Sequence, residues 1–157
     1  MKYLIGHLDD QISFETPDVF LKNKYSKVEY NLIKKGLNKF YDIKDFNVSY
    51  QIGKPILDVP VFISISNSYD TTVVAFSSRP IGVDIELMRK VDVSLKKYLN
   101  MNEASTDIEV LKEFCSREAI IKLDNLKLYD LKSINKENYV ITHIIHENYV
   151  VAIAQNK

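Results

Sequence analysis

Apolar and polar positions alternate weakly from Tyr3 to Leu8, the period of a half-buried strand. From Pro17 to about Tyr41 the spacing changes. Val19/Phe20, Val28, Leu32/Ile33, Leu37 and Phe40 recur near helical intervals with lysines between them, which predicts a long helix. Phe46 to Ile52 predicts a strand, closed by a turn at Gly53-Lys54-Pro55. Val61 to Ser66 and Thr72 to Ser77 predict a hairpin about an Asn67–Thr71 turn. Ile81 to Glu86 is a further strand. Asp107 to Leu123 is a second long helix carrying Ile108, Leu111, Phe114/Cys115, Ala119 and Ile121 inward. Tyr139–Ile145 and Tyr149–Ala154 predict a closing hairpin around His146-Glu147-Asn148.

A faint repeat underlies the pattern. Ile5-Gly6 recurs as Ile81-Gly82, and Val73-Val74-Ala75 recurs as Val150-Val151-Ala152, each close to half a chain later. Matches this short also arise by chance; as a true duplication they give an α+β chain of two similar halves, 1–79 and 80–157, each a long helix packed on antiparallel strands. At 157 residues, 46% of them apolar, the two halves fit one domain.

Charge narrows the functional classes. Lys plus Arg and Asp plus Glu number 21 each, a balance that argues against general affinity for nucleic acid or anionic membrane. The single cysteine, Cys115, forms no internal disulfide, and no apolar run approaches the ~20 residues of a membrane span, so a cytoplasmic protein is expected. His7, His143 and His146 match no metal-binding spacing and read as structural.

The chemistry concentrates in three places. In Gly82-Val83-Asp84-Ile85-Glu86, strand alternation puts Asp84 and Glu86 on one face and points Val83 and Ile85 to the core. Two carboxylates side by side repel, and a divalent cation removes that repulsion; magnesium is held by a few carboxylates, waters and phosphate oxygens. In Phe114-Cys115-Ser116-Arg117-Glu118-Ala119-Ile120-Ile121-Lys122, Glu118 and Lys122 share a helix face. Upstream, Gly53-Lys54-Pro55 presents a cation and Ser64-Ile65-Ser66-Asn67-Ser68 presents hydroxyls and an amide, groups that phosphates bind. Taken singly, each is also read as an acidic strand face, a surface ion pair or ordinary turn chemistry.

In this order the pieces resemble the phosphopantetheinyl transferases, in particular the surfactin-type branch. That family shows a Gly-Lys/Arg-Pro turn, a strand ending Asn-(Ile/Leu)-Ser-His-Ser, a Gly-(Ile/Val)-Asp-Ile-Glu strand and a helix with Trp-Ser-x-Lys-Glu-(Ala/Ser)-x-x-Lys. The resemblance spans roughly residues 50 to 125. It implies the family's α+β fold of two pseudo-symmetric halves. It also implies Mg2+-dependent transfer of 4′-phosphopantetheine from coenzyme A to a serine of an acyl or peptidyl carrier protein, releasing 3′,5′-ADP. Asp84, Glu86 and Glu118 take the metal-ligand positions. Glu118 is the implied base, and Lys122 the lysine that contacts the phosphates. Lys54, Ser66 and Asn67 match positions that grip coenzyme A. Service to secondary metabolism and a monomeric state are further expectations, with no nucleic acid or membrane partner.

The sequence departs from the family at several of these positions. Asn67 stands where the family has His, Ser64 where it has Asn, Cys115 where it has Trp and Arg117 where it has Lys, the last keeping the charge. Leu123-Asp124-Asn125-Leu126 replaces a Gly-x-Gly-Leu run. Without the His charge, Lys22, Lys24, Lys27, Lys34 and Lys35 become candidates for the 3′-phosphate. A member that binds coenzyme A or carrier protein without turnover is the alternative, and an unrelated α+β interaction module is a third reading.

Overall fold

A strand, a long helix and two antiparallel hairpins follow one another in residues 1–80; a strand, helices and one hairpin follow in residues 81–157. The computed structural model describes residues 1–157, with the side chain of Tyr129 outside the description. The chain clusters into two compact units, Met1–Pro80 and Ile81–Lys157.

In the first unit β1 (Lys2–His7) leads through a 3-10 turn (Asp18–Phe20) into α1 (Ser26–Tyr41). A small hairpin, β2 (Val48–Gln51) and β3 (Lys54–Leu57), precedes the larger one, β4 (Phe62–Ser68) and β5 (Thr71–Ser77). β5 lies centrally between β1 and β4, antiparallel to both. Helix α1 packs Ile33 and Leu37 against Val74 and Phe76 of β5.

The second unit runs β6 (Gly82–Leu87), α2 (Val93–Tyr98), α3 (Asp107–Asp124), a 3-10 turn (Leu128–Ser133), β7 (Tyr139–His146) and β8 (Tyr149–Asn156). Again the last strand is central, with β6 and β7 antiparallel on either side. Helix α3 lies on β6 and β8 and buries Leu111, Cys115, Ala119 and Ile120 with Val150, Ala152 and Ala154. Its start is set by a capping box: the Thr106 hydroxyl accepts the Glu109 N–H, and the Glu109 carboxylate accepts the Thr106 N–H.

Several expectations are corrected. The helix expected from Pro17 begins only at Ser26. The Ser26 hydroxyl accepts the N–H groups of Lys22 and Asn23, and the Asn23 side chain accepts that of Tyr25. These local bonds compete with the helical ladder. Phe20 kept the apolar period because it still reaches the core, against Tyr30 and Tyr50. The turn expected at Gly53-Lys54-Pro55 is formed by Ile52 and Gly53, both at positive φ, and Lys54 already opens β3 opposite Gln51. The Asn67–Thr71 turn shrinks to Tyr69 and Asp70, because Asn67 and Ser68 pair with Thr72 and Thr71. Helix α2, with Asp92 as its N-cap, had no apolar period long enough to announce it.

The short sequence repeats also fail in register. Val73-Val74-Ala75 fills the third to fifth positions of β5, whereas Val150-Val151-Ala152 fills the second to fourth of β8. A one-residue shift exchanges the faces of a strand. Val74 therefore faces α1, while its sequence counterpart Val151 lies on the face of β8 away from α3. Ile5-Gly6 falls near the end of β1, while Gly82 begins β6. What the units have in common is strand order, not those letters.

One glycine positions the second unit's helix. A Cβ on Gly82 would lie 1.9 Å from the carbonyl oxygen of Ala119 and 2.7 Å from the Leu123 nitrogen. Both are backbone atoms and cannot rotate aside. Gly82 thus allows α3 to lie directly on β6. Gly82→Ala is expected to destabilise the protein at or beyond the upper end of the ~1–3 kcal/mol typical of overpacking. Urea unfolding, reading the midpoint with an unchanged slope, checks it.

Candidate active site

The close approach of α3 to β6 decides which side chains meet. Gly82, Asp84 and Glu86 share the face that α3 covers, opposite Ala154, Ala152 and Val150 of β8. Val83 and Ile85 are buried, as expected, but on the other face of the strand and outside the cluster beneath α3. The acids, not the aliphatics, lie under the helix.

Lys122 reaches down from α3, and its ammonium donates to Asp84 Oδ1 at 2.9 Å. Asp84 is only 5% exposed. Glu86, half-buried at the far end of β6, accepts from Arg89 Nη1 at 2.7 Å; the same guanidinium nitrogen donates to the Leu87 carbonyl at 3.2 Å. Glu118 stands one helical turn before Lys122. Burial pushes its carboxyl above the ordinary value, the charge of Asp84 adds to this, Lys122 opposes it and Glu86 adds again. Burial likewise raises Glu86, against the bond from Arg89 and with Asp84 adding. The Cys115 thiol beneath is raised by burial and by the charges of Asp84 and Glu86, so it is a packing group that donates to the Val150 carbonyl at 3.6 Å.

Asp84, Glu86, Glu118 and Lys122 are therefore electrostatic neighbours, drawn from a strand and a helix. Three carboxylates face two cations, which leaves one excess negative charge. Among the described residues, the carboxylate oxygens of Asp84, Glu86 and Glu118 do not all lie within 4.8 Å of one another, so they form an open set rather than a closed cage. Hard oxygen donors with room left between them suit a divalent cation that keeps part of its water, as Mg2+ does. The donor set thus fits the expected ion.

The other expected residues lie in the first unit. Lys54 opens β3 and is half-buried. Ser66 and Asn67 are successive residues of β4, so their side chains leave opposite faces of the strand. The Asn67 amide is engaged at both ends. Its nitrogen donates to Glu29 Oε1 of α1 at 2.7 Å, and its oxygen accepts from the Thr72 hydroxyl at 2.7 Å. Burial raises the Glu29 carboxyl, with the bond from Asn67 opposing. An acid, rather than a cation, thus sits beside the position where the family has His. Of the candidate lysines, Lys22 lies over the Tyr50 ring at 5.0 Å and Lys34 over Phe14 at 5.1 Å.

Arg117 does not serve as the site's extra charge. It donates to Glu113 at 2.8 Å, to the Leu99 carbonyl at 2.9 Å and to the Leu131 carbonyl at 3.2 Å, tying α3 to the end of α2 and to the 3-10 turn. Ser116 and His143 pair at 2.7 Å without making a nucleophile. The Ser116 proton goes to the Lys112 carbonyl at 2.7 Å, so the imidazole Nε2 must donate rather than accept. Sequence reasoning missed Arg89, Glu29 and Thr72. Thr72 was legible from the hairpin register; Arg89 and Glu29 carry no sequence signal of their own.

The raised Glu118 carboxyl makes a stability prediction. Such a group stabilises the fold while protonated, and that contribution is present below the ordinary carboxylate range and lost as pH rises through the folded value. Glu118→Gln should therefore raise the melting temperature by a few degrees near pH 7.5. That advantage should vanish at about pH 4. Thermal melts of the two proteins at both pH values check it.

No family model matches the chain. Over 112 residues it is 27% identical to the 4′-phosphopantetheinyl transferase gsp of Aneurinibacillus migulanus, a match that covers 65% of this chain and 47% of that protein. The chain thus spans about half the length of the curated relative it matches. No helix among the described residues is long and apolar enough to cross a membrane. The chain is thus similar to a 4′-phosphopantetheinyl transferase, in agreement with the ordered motifs on β4, β6 and α3.

Proposed function

We propose that the protein transfers the 4′-phosphopantetheine moiety of coenzyme A to a serine of an acyl or peptidyl carrier protein, with Mg2+, releasing 3′,5′-ADP. The observation that carries this reading is that α3 brings Lys122 onto Asp84 and sets Glu118 within the electrostatic reach of Asp84 and Glu86. A magnesium ion held by the three acids would neutralise charge on the diphosphate and on the departing oxygen. The serine oxygen of the carrier forms a bond to the phosphorus that bears pantetheine, and the bond from that phosphorus to the bridging oxygen breaks, so the electron pair leaves with 3′,5′-ADP. The serine proton passes to Glu118. Lys122 brings a positive charge to the same place, where it serves both Asp84 and a phosphate oxygen.

For the coenzyme phosphates the reading assigns Lys54, Ser66 and Asn67. It takes residues 1–157 as one working domain of halves 1–79 and 80–157, acting as a monomer in the cytoplasm, where coenzyme A and carrier proteins meet. A link to secondary metabolism belongs to the same reading. The Asn67–Glu29 bond favours a second reading, a member that binds coenzyme A or carrier protein without turnover, because an acid beside Asn67 works against a phosphate there.

Incubation of the protein with apo carrier protein, coenzyme A and Mg2+ separates the two. The transferase adds one phosphopantetheine to the carrier mass; binding of coenzyme A with no added mass supports the second reading. Glu118→Gln should lower the transfer rate by about 10²–10⁴-fold with the fold retained, a loss on the scale of a general base. Intact-mass kinetics and a thermal melt of the same variant check it.

A further inference from the structure

Resting on the metal reading above, we propose that Arg89 is a built-in competitor for the cation site, which a divalent ion must displace from Glu86. The two strand acids are each held by a protein cation, but not equally. The Lys122–Asp84 pair is shielded, its side chains 28% and 7% exposed, whereas the Arg89–Glu86 pair is looser at 46% and 21%. A half-exposed ion pair is weak and readily exchanged. A divalent ion on Glu86 would meet the Arg89 charge across one carboxylate, and like charges at that separation oppose each other. Cation binding is therefore an exchange at Glu86 rather than an addition. The Leu87 carbonyl accepts from the same guanidinium nitrogen and gives Arg89 a second hold at the end of β6. The residue sets the ion concentration at which the site fills. It acts through Glu86 and is a positioning residue, not a catalytic one.

The test is direct binding of Mn2+ to the full-length protein, followed by calorimetry and by the free-ion resonance signal at low ionic strength, without coenzyme or carrier. Arg89→Gln should bind Mn2+ about two- to fivefold more tightly than the parent, the range for removal of an exposed ion pair. Arg89→Lys, which keeps the charge, should stay near the parent. Lys90→Gln is the control. It removes the same charge from the next residue, which is exposed and not among the charges acting on Glu86. Asp84→Asn reports whether the ion sits at this site at all. Thermal melts establish that each variant is folded. Tightening by Arg89→Gln but not by Lys90→Gln supports the inference. Equal tightening by both, or none by Arg89→Gln while Asp84→Asn weakens binding, overturns it and leaves the metal reading standing. If Asp84→Asn leaves Mn2+ affinity unchanged, the ion lies elsewhere, and the metal reading falls together with this inference.

Discussion

Backbone contact between β6 and α3 at Gly82 is the constraint on which the second unit rests. A side chain there would occupy the space of the Ala119 carbonyl and the Leu123 amide. Without one, the helix descends onto the strand, and the residues just before those contacts, Glu118 and Lys122, come over Asp84 and Glu86. A helix held one side chain further out would leave Lys122 short of Asp84 and let water between the acids. Desolvation, which raises Glu86 and Glu118, depends on the same proximity. Packing and electrostatics at this place have a single cause.

The site is stabilised by an incomplete balance of charge. Three carboxylates and two cations share a half-buried space, with Lys122 bonded to Asp84 and Arg89 to Glu86. Glu118 faces two like charges with only the shared Lys122 to offset them. Burying such an excess costs free energy unless a further positive group arrives. Functional sites commonly keep this kind of tension because a ligand relieves it. Around it, Arg117 and the Thr106 capping box hold α3 in length and rotation, and neither touches the acids.

The first unit tells a different story about its polar strand end. The asparagine where the resemblance expects a histidine is bound at both ends by neighbours of its own unit, Glu29 and Thr72. Its chemistry is that of a satisfied, part-buried amide. The hydroxyls of Ser64, Ser66 and Ser68 leave the opposite face of the same strand. The run of polar letters therefore splits into two surfaces with different surroundings.

Period and capping chemistry are local, and by themselves they determined much here. Alternation placed Asp84 and Glu86 on a common face, four-residue spacing placed Glu118 and Lys122 on another, and helical period marked α3 from Asp107. The hairpins and the motif order were legible for the same reason, since each depends on neighbours in the chain. Only tertiary structure decided which face of β6 the helix covers. Asp84 is buried along with Val83 and Ile85, so hydrophobicity could not choose between them. It likewise decided that Arg117 serves the scaffold, that Arg89 holds Glu86 and that Glu29 meets Asn67. Leu99 and Leu131 lie far from Arg117 in the chain, and Glu29 far from Asn67, while Arg89 folds back past the end of its strand. No periodicity encodes such meetings; close packing of the helices on their sheets does.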